Sequence, residues 1–162
     1  MFDNHRYEQA SVAYLRAGQN RKVAICDAYH LREKARLTST IASAARSRAF
    51  VTAADAFVTC AQNQPSDLVD ERMDYYEIAG DCYSDARDAT YLKNAGDSYQ
   101  IAERHDAAAR AYREGEYFDE MGEVIIQHGG ALESGLLERL TRVARMYYFK
   151  VYLRRRFISK YV

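Results

Sequence analysis

Small and apolar residues recur every three or four positions along most of this chain, with charged residues between them, which is the spacing of amphipathic helices. The first predicted helix covers 7–18, with Tyr7, Ala10, Tyr14 and Ala17 on one stripe and Gly18 as its stop. The second covers 20–37, with Val23, Ala24, Ala28, Leu31 and Ala35 inward and Arg21, Lys22, Arg32 and Arg36 outward. A third run over 41–62 repeats a small–aromatic rhythm through Phe50, Ala53, Phe57 and Cys60, with a break expected near Ser47. Pro65 disfavours helix just before it, and Ser66 can cap the next one. Further helices are expected at 68–86 (Met73, Tyr76, Ala79 and Tyr83 inward), 89–103, 106–114 and 117–127. His128-Gly129-Gly130 stops the last of these. A long helix over 132–150 places Leu136, Leu140, Val143 and Tyr147 on one face.

Within this pattern lies an echo. Tyr76, Ala79, Gly80, Asp81 and Tyr83 return sixteen residues later as Leu92, Ala95, Gly96, Asp97 and Tyr99. The second copy continues into Ala108, Tyr112 and Gly115, and Ala10, Tyr14 and Ala17 keep a similar order near the start. A large residue, then a small pair, then Tyr, then Ala and an aromatic is the order of the tetratricopeptide repeat. Its physical basis is close packing. Gly96 and Ala108 are small where two helices cross, and Tyr99 and Tyr112 fill the space beside them. A helical glycine costs roughly 1 kcal/mol relative to alanine, so its recurrence needs a packing reason. The expected fold is all-α: a tetratricopeptide-like α-solenoid of about seven or eight antiparallel helices over 1–150. The missing first helix and polar cap suggest a fragment of a longer array. Residues 151–162, basic and aromatic, lose the alanine rhythm; they could continue the helix, but a loose tail or the translated edge of a truncated gene is favoured.

Composition adds charge asymmetry. The formal net charge is zero, but residues 1–65 carry 9 Lys/Arg against 5 Asp/Glu, 66–123 carry 6 against 16, and 124–162 carry 8 against 2. The acidic middle disfavours nucleic acid there, because phosphate affinity needs clustered Lys and Arg. It suits a basic peptide instead. Arg142, Arg145, Lys150, Arg154, Arg155, Arg156 and Lys160 form a candidate basic surface for nucleic acid or an anionic membrane. Cys26, Cys60 and Cys82 suggest neither a disulfide framework nor a zinc site. No apolar leader and no run long enough to span a membrane is present, so an intracellular setting, cytoplasmic or nuclear, is expected.

Catalytic signatures are missing: no phosphate-binding glycine loop, nucleophile elbow or paired-histidine metal motif occurs. No cofactor is expected. His30 and Glu33 share a helix face but lack further ligands. His105-Asp106 and His128 read as turn caps. Asp81, Asp85, Asp88 and Asp97 read as a solvated acidic face.

Several strings point to a family. Val23-Ala24-Ile25, Ala28-Tyr29-His30-Leu31-Arg32-Glu33 and Ala35-Arg36 are followed by Ala49-Phe50, Ala53-Ala54, Ala56-Phe57 and Cys60-Ala61. Ile78-Ala79-Gly80-Asp81-Cys82-Tyr83 and Val143-Ala144-Arg145-Met146-Tyr147-Tyr148-Phe149-Lys150 complete the series. Over about residues 5–150 the chain resembles the helical-repeat region of fungal tetratricopeptide-and-ankyrin-repeat-containing proteins that carry a UvrD-like superfamily 1 helicase. The resemblance implies a scaffold attached to a nucleic-acid-dependent motor, whose ATPase motifs this chain lacks. The expected function is a non-catalytic protein–protein interaction or scaffold module. The alternatives are an accessory segment of a helicase-related protein, or nucleic-acid binding through the basic tail.

Overall fold

A computed structural model describes the backbone over residues 3–161 and the side chains over 6–151. The described residues are all-helical: α1 (Asp3–Arg16), α2 (Asn20–Leu37), α3 (Ser43–Gln62), α4 (Val69–Asp85), α5 (Ala89–Ile101), α6 (His105–Glu114), α7 (Phe118–His128) and α8 (Ser134–Tyr161), with a 3-10 turn at Gly129–Ala131 before α8. Each helix packs chiefly on the next in sequence, and α8 also reaches α6. The short turns send each helix back along the one before it. In α1 and α2, Tyr7 stacks on Tyr29 while the later Ser11 meets the earlier Asp27, which is antiparallel pairing.

The core is a run of small side chains punctuated by rings. Ala28, Ala53, Ala54, Ala79, Ala95, Ala108 and Ala109 are fully buried, and Phe50, Phe57, Tyr112, Met121, Leu136 and Leu140 fill the spaces between them. Full burial of a large apolar side chain stabilises by about 1.5–3 kcal/mol. In the first half a line of rings crosses four helices: Tyr7 on Tyr29, Tyr29 edge-on to Phe57, and Phe57 on Tyr75. Such offset and edge-to-face pairs add to the area they bury.

Three turns are built alike. After α1, α5 and α6 the chain closes with a backbone bond spanning five residues, Gln19 N to Tyr14 O, Arg104 N to Tyr99 O and Tyr117 N to Tyr112 O, each at 2.8–2.9 Å. This is the Schellman closure, which satisfies carbonyls left open at a helix end. The residue it forces into the left-handed region is Gly18, Glu103 or Glu116, at φ 68°, 57° and 62°. Arg87 takes the same conformation after α4, at φ 52°.

Several sequence expectations are corrected. α3 runs unbroken through Ser47, whose hydroxyl leaves the helical ladder intact. Ala17 and Ala24 are exposed and do not join the packing, while Ala10, Tyr14 and Tyr76 are half-buried. Ser66 does not cap α4; the N-cap position is Leu68, which offers no side-chain acceptor. Gly115, at the C-cap of α6, stands in close quarters: a Cβ there would lie 2.7 Å from the Tyr117 ring and 2.9 Å from Leu92 Cβ. Where a loose tail was expected, the backbone is helical through Tyr161. The side chains of Arg154, Arg155, Arg156 and Lys160 lie outside the described residues.

Candidate interaction surfaces

The Gly-Asp echo marks a ladder between consecutive helices. Tyr99 on α5 lies against Gly80 on α4, where a Cβ would come within 2.7 Å of its ring, and its hydroxyl donates to Asp81 Oδ1 at 2.9 Å. Tyr112 on α6 lies against Gly96 on α5 and donates to Asp97 Oδ1 at 2.6 Å, while Gln100 Nε2 donates to the Tyr112 oxygen at 2.9 Å. Tyr83 on α4 donates in the same way to Asp55 Oδ1 of α3 at 2.5 Å, and Ala54, which precedes that aspartate, is fully buried. In the two glycine rungs the small residue admits the ring, and in all three the aspartate that follows a small residue receives the hydroxyl. Burial first, then the hydrogen bond to the aspartate, pushes the Tyr83 and Tyr112 hydroxyls well above the usual phenol range. Burial does the same for Tyr99.

The ladder ends differently at its two sides. Asp27 of α2, next in line, takes its bond from the Ser11 hydroxyl of α1 at 2.7 Å. At the other side a Cβ on Gly122 of α7 would sit 2.6 Å from the Tyr148 hydroxyl of α8, and burial first, then the nearby Asp119 charge, raises the Tyr148 pKa. Only the rungs sharing the string Ala-Gly-Asp-x-Tyr were visible as a repeat. The Asp55–Tyr83 rung was hidden because alanine stands where the string has glycine, and the Gly122–Tyr148 contact because no aspartate follows that glycine.

Asp81 and Asp97 are therefore structural acceptors rather than a purely solvated acidic face. They also join helices two apart. Arg32 of α2 approaches Asp81 at 3.5 Å, and Lys93 of α5 bridges Asp97 at 3.2 Å and Glu120 of α7 at 3.5 Å. Asp88 caps α5 by accepting from Thr90 N at 3.0 Å.

Two adjoining grooves open beside α4 and the α5–α6 turn. One, of about 350 Å³, is lined by Asp70, Met73, Asp74, Glu77, Ala102, Glu103 and Arg104. The other, of about 360 Å³, shares Glu77, Glu103 and Arg104 and adds Asp81, Tyr99, His105, Asp106, Ala107 and Ala131. Together they set six carboxylates against one arginine, and Arg104 is held by Glu77 at 2.7 Å. The surface has the sign of charge that draws a cationic segment.

His105 and His128 do not cap turns. Their rings stack in parallel with centroids 3.7 Å apart, joining the start of α6 to the end of α7. His105 Nδ1 is buried without a hydrogen-bond partner. Burial first, then the neighbouring His128, holds the His105 pKa below the ordinary imidazole value. Asp106 Oδ1 instead accepts from Glu133 N at 3.2 Å, tying α6 to the approach of α8.

No three His, Cys, Asp or Glu side chains among the described residues are placed to hold a metal; His30 faces Glu8 at 3.6 Å. The three cysteines are free and buried, and burial pushes the Cys82 thiol to about 12, which makes it a poor nucleophile. Arg142, Arg145 and Lys150 of the candidate basic surface are all exposed on α8. No described helix is long and apolar enough to cross a membrane. Comparison of the chain with family models, with curated proteins and with solved structures finds no match.

Proposed function

We propose that this chain is a non-catalytic protein-interaction module, a tetratricopeptide-like stack of helical hairpins that receives a basic partner segment along α4 to α6. The observation that carries this reading is the pair of adjoining grooves with six carboxylates around a single, already paired arginine. Stacked helix pairs present extended surfaces of this kind to elongated ligands. The Tyr–Asp ladder supports it by fixing consecutive helices in register, so that the acidic side chains start from a rigid frame and less ordering is needed on binding. The helicase-linked reading rests on the sequence resemblance alone.

The test is a titration of the full chain with a synthetic amphipathic Lys/Leu peptide, followed by calorimetry at several salt concentrations. Binding that weakens with salt, and weakens further in Asp70→Asn/Asp74→Asn, is the expected outcome. Equal affinity in that variant, or no binding at low salt, overturns the reading.

A further inference from the structure

The outward face of α8 is unusual for a surface helix. Its inward stripe, Leu136, Leu140, Val143 and Tyr147, packs on the rest of the fold. The exposed flank of the helix is not purely polar. Met146 and Phe149, one turn apart, are 59% and 62% exposed. Arg142, Arg145 and Lys150 surround them, all exposed; of these Arg142 is engaged, by Glu138 at 3.1 Å. An apolar pair ringed by cations on a helix is the pattern of an anchor that docks into an apolar groove with an acidic rim.

This molecule carries a groove of that description. The one beside α4 has Met73 and Ala102 in its lining, with Asp70, Asp74, Glu77 and Glu103 around them and Arg104 held by Glu77. Met73 offers the anchors an apolar contact within the groove, and the two charged rims have opposite sign. The charge imbalance along the chain has the same sense: the acidic excess falls in residues 66–123 and the larger of the two basic excesses in 124–162.

We infer that the basic segment received by the acidic groove is the outer face of α8 from a second copy of this chain. The inference rests on the groove being a docking site, and it names the occupant. Met146 and Phe149 supply the buried anchors, and the arginines pair with the rim carboxylates. The contact joins two different surfaces, so it either exchanges reciprocally to close a dimer or adds copies head to tail. Because the rim charges are exposed, they set the salt dependence and the partner choice more than the total affinity.

Sedimentation velocity of the full chain over a range of concentration and salt tests this. Self-association at low salt that falls as salt rises is expected. Two charge-reversed variants make the decision: Arg142→Glu/Arg145→Glu, whose groove and α8 are both acidic, and Asp70→Lys/Asp74→Lys, whose groove and α8 are both basic. All four positions are exposed, so unchanged far-ultraviolet circular dichroism is expected for each. Each variant alone should associate at least roughly tenfold more weakly, and an equimolar mixture should recover association, because each groove then meets an α8 of opposite sign. A monomer at every concentration at low salt overturns the inference, as does association that both variants retain or a mixture that recovers nothing. The Lys/Leu peptide separates the two layers: peptide binding by a chain that stays monomeric removes the second copy as occupant and leaves the groove's role standing, whereas binding of neither removes both.

Discussion

Tyr112 donates its hydroxyl to Asp97 at 2.6 Å while its ring occupies the space a side chain on Gly96 would need, with Cδ1 2.6 Å from where a Cβ would stand. One tyrosine thus reads two consecutive residues of the neighbouring helix, the first by its smallness and the second by its charge. Gly96→Ala must push a fully packed ring away from both. Overpacking of this kind typically costs about 1–3 kcal/mol, against a helix-propensity gain of roughly 1 kcal/mol. We expect net destabilisation by urea unfolding, and a smaller loss from the same change in a Tyr112→Ala background. Additive losses in the two backgrounds would show that ring and glycine do not meet.

The left-handed turn residues give a prediction of opposite sign. Glu116 and Glu103 hold φ of 62° and 57° only because the Schellman bonds close over them. A non-glycine residue there is strained by roughly 1–2 kcal/mol, part of which the extra freedom of an unfolded glycine cancels. Glu116→Gly should therefore raise stability, by about 0.5–1 kcal/mol, and Gly18→Ala should lower it. A lower melting temperature in Glu116→Gly would mean that the glutamate side chain contributes more than its backbone strain removes.

Stability should fall on both sides of neutral pH. The His105 pKa is held down by burial and by the stacked His128, so below about 6.5 the unfolded chain takes up a proton that the folded chain resists. Glu103 and Asp106 act in the opposite sense but do not outweigh burial. The stability present above that pH is lost as acid is added, and His105→Gln should flatten the acid limb of a melting-temperature profile. On the alkaline side the ladder tyrosines are raised, so their contribution is present below about 10, the unfolded phenol value, and is lost as pH rises past it. Tyrosinate absorbance should therefore rise in two phases, the second coinciding with loss of helix. A single phase that precedes unfolding would place the ladder hydroxyls in water.

Periodicity carried a great deal. The segments expected at 20–37, 89–103, 106–114 and 117–127 lie within a residue or two of α2, α5, α6 and α7. Gly80, Gly96, Tyr99 and Tyr112 were legible as packing residues because the string around the glycines repeats. What stayed illegible was long-range. Nothing in sequence spacing pairs Tyr83 with Asp55, twenty-eight residues away, or brings His105 onto His128. Glu103 and Glu116 give no local sign of a left-handed backbone, since that conformation is imposed by bonds made across the turn.

The sequence by itself determined that this chain is helical, roughly where most of its helices start and stop, and that the glycines of the repeated string face a neighbour, because these follow from local period and side-chain size. The tertiary structure decided which aspartates are hydrogen-bond acceptors rather than solvated charges, that the acidic residues gather around shared grooves, and that Met146 and Phe149 face outward among arginines. Those outcomes depend on how one helix is rotated against the next. That rotation is fixed by ring-into-gap packing summed across several interfaces, a quantity no single stretch of sequence contains.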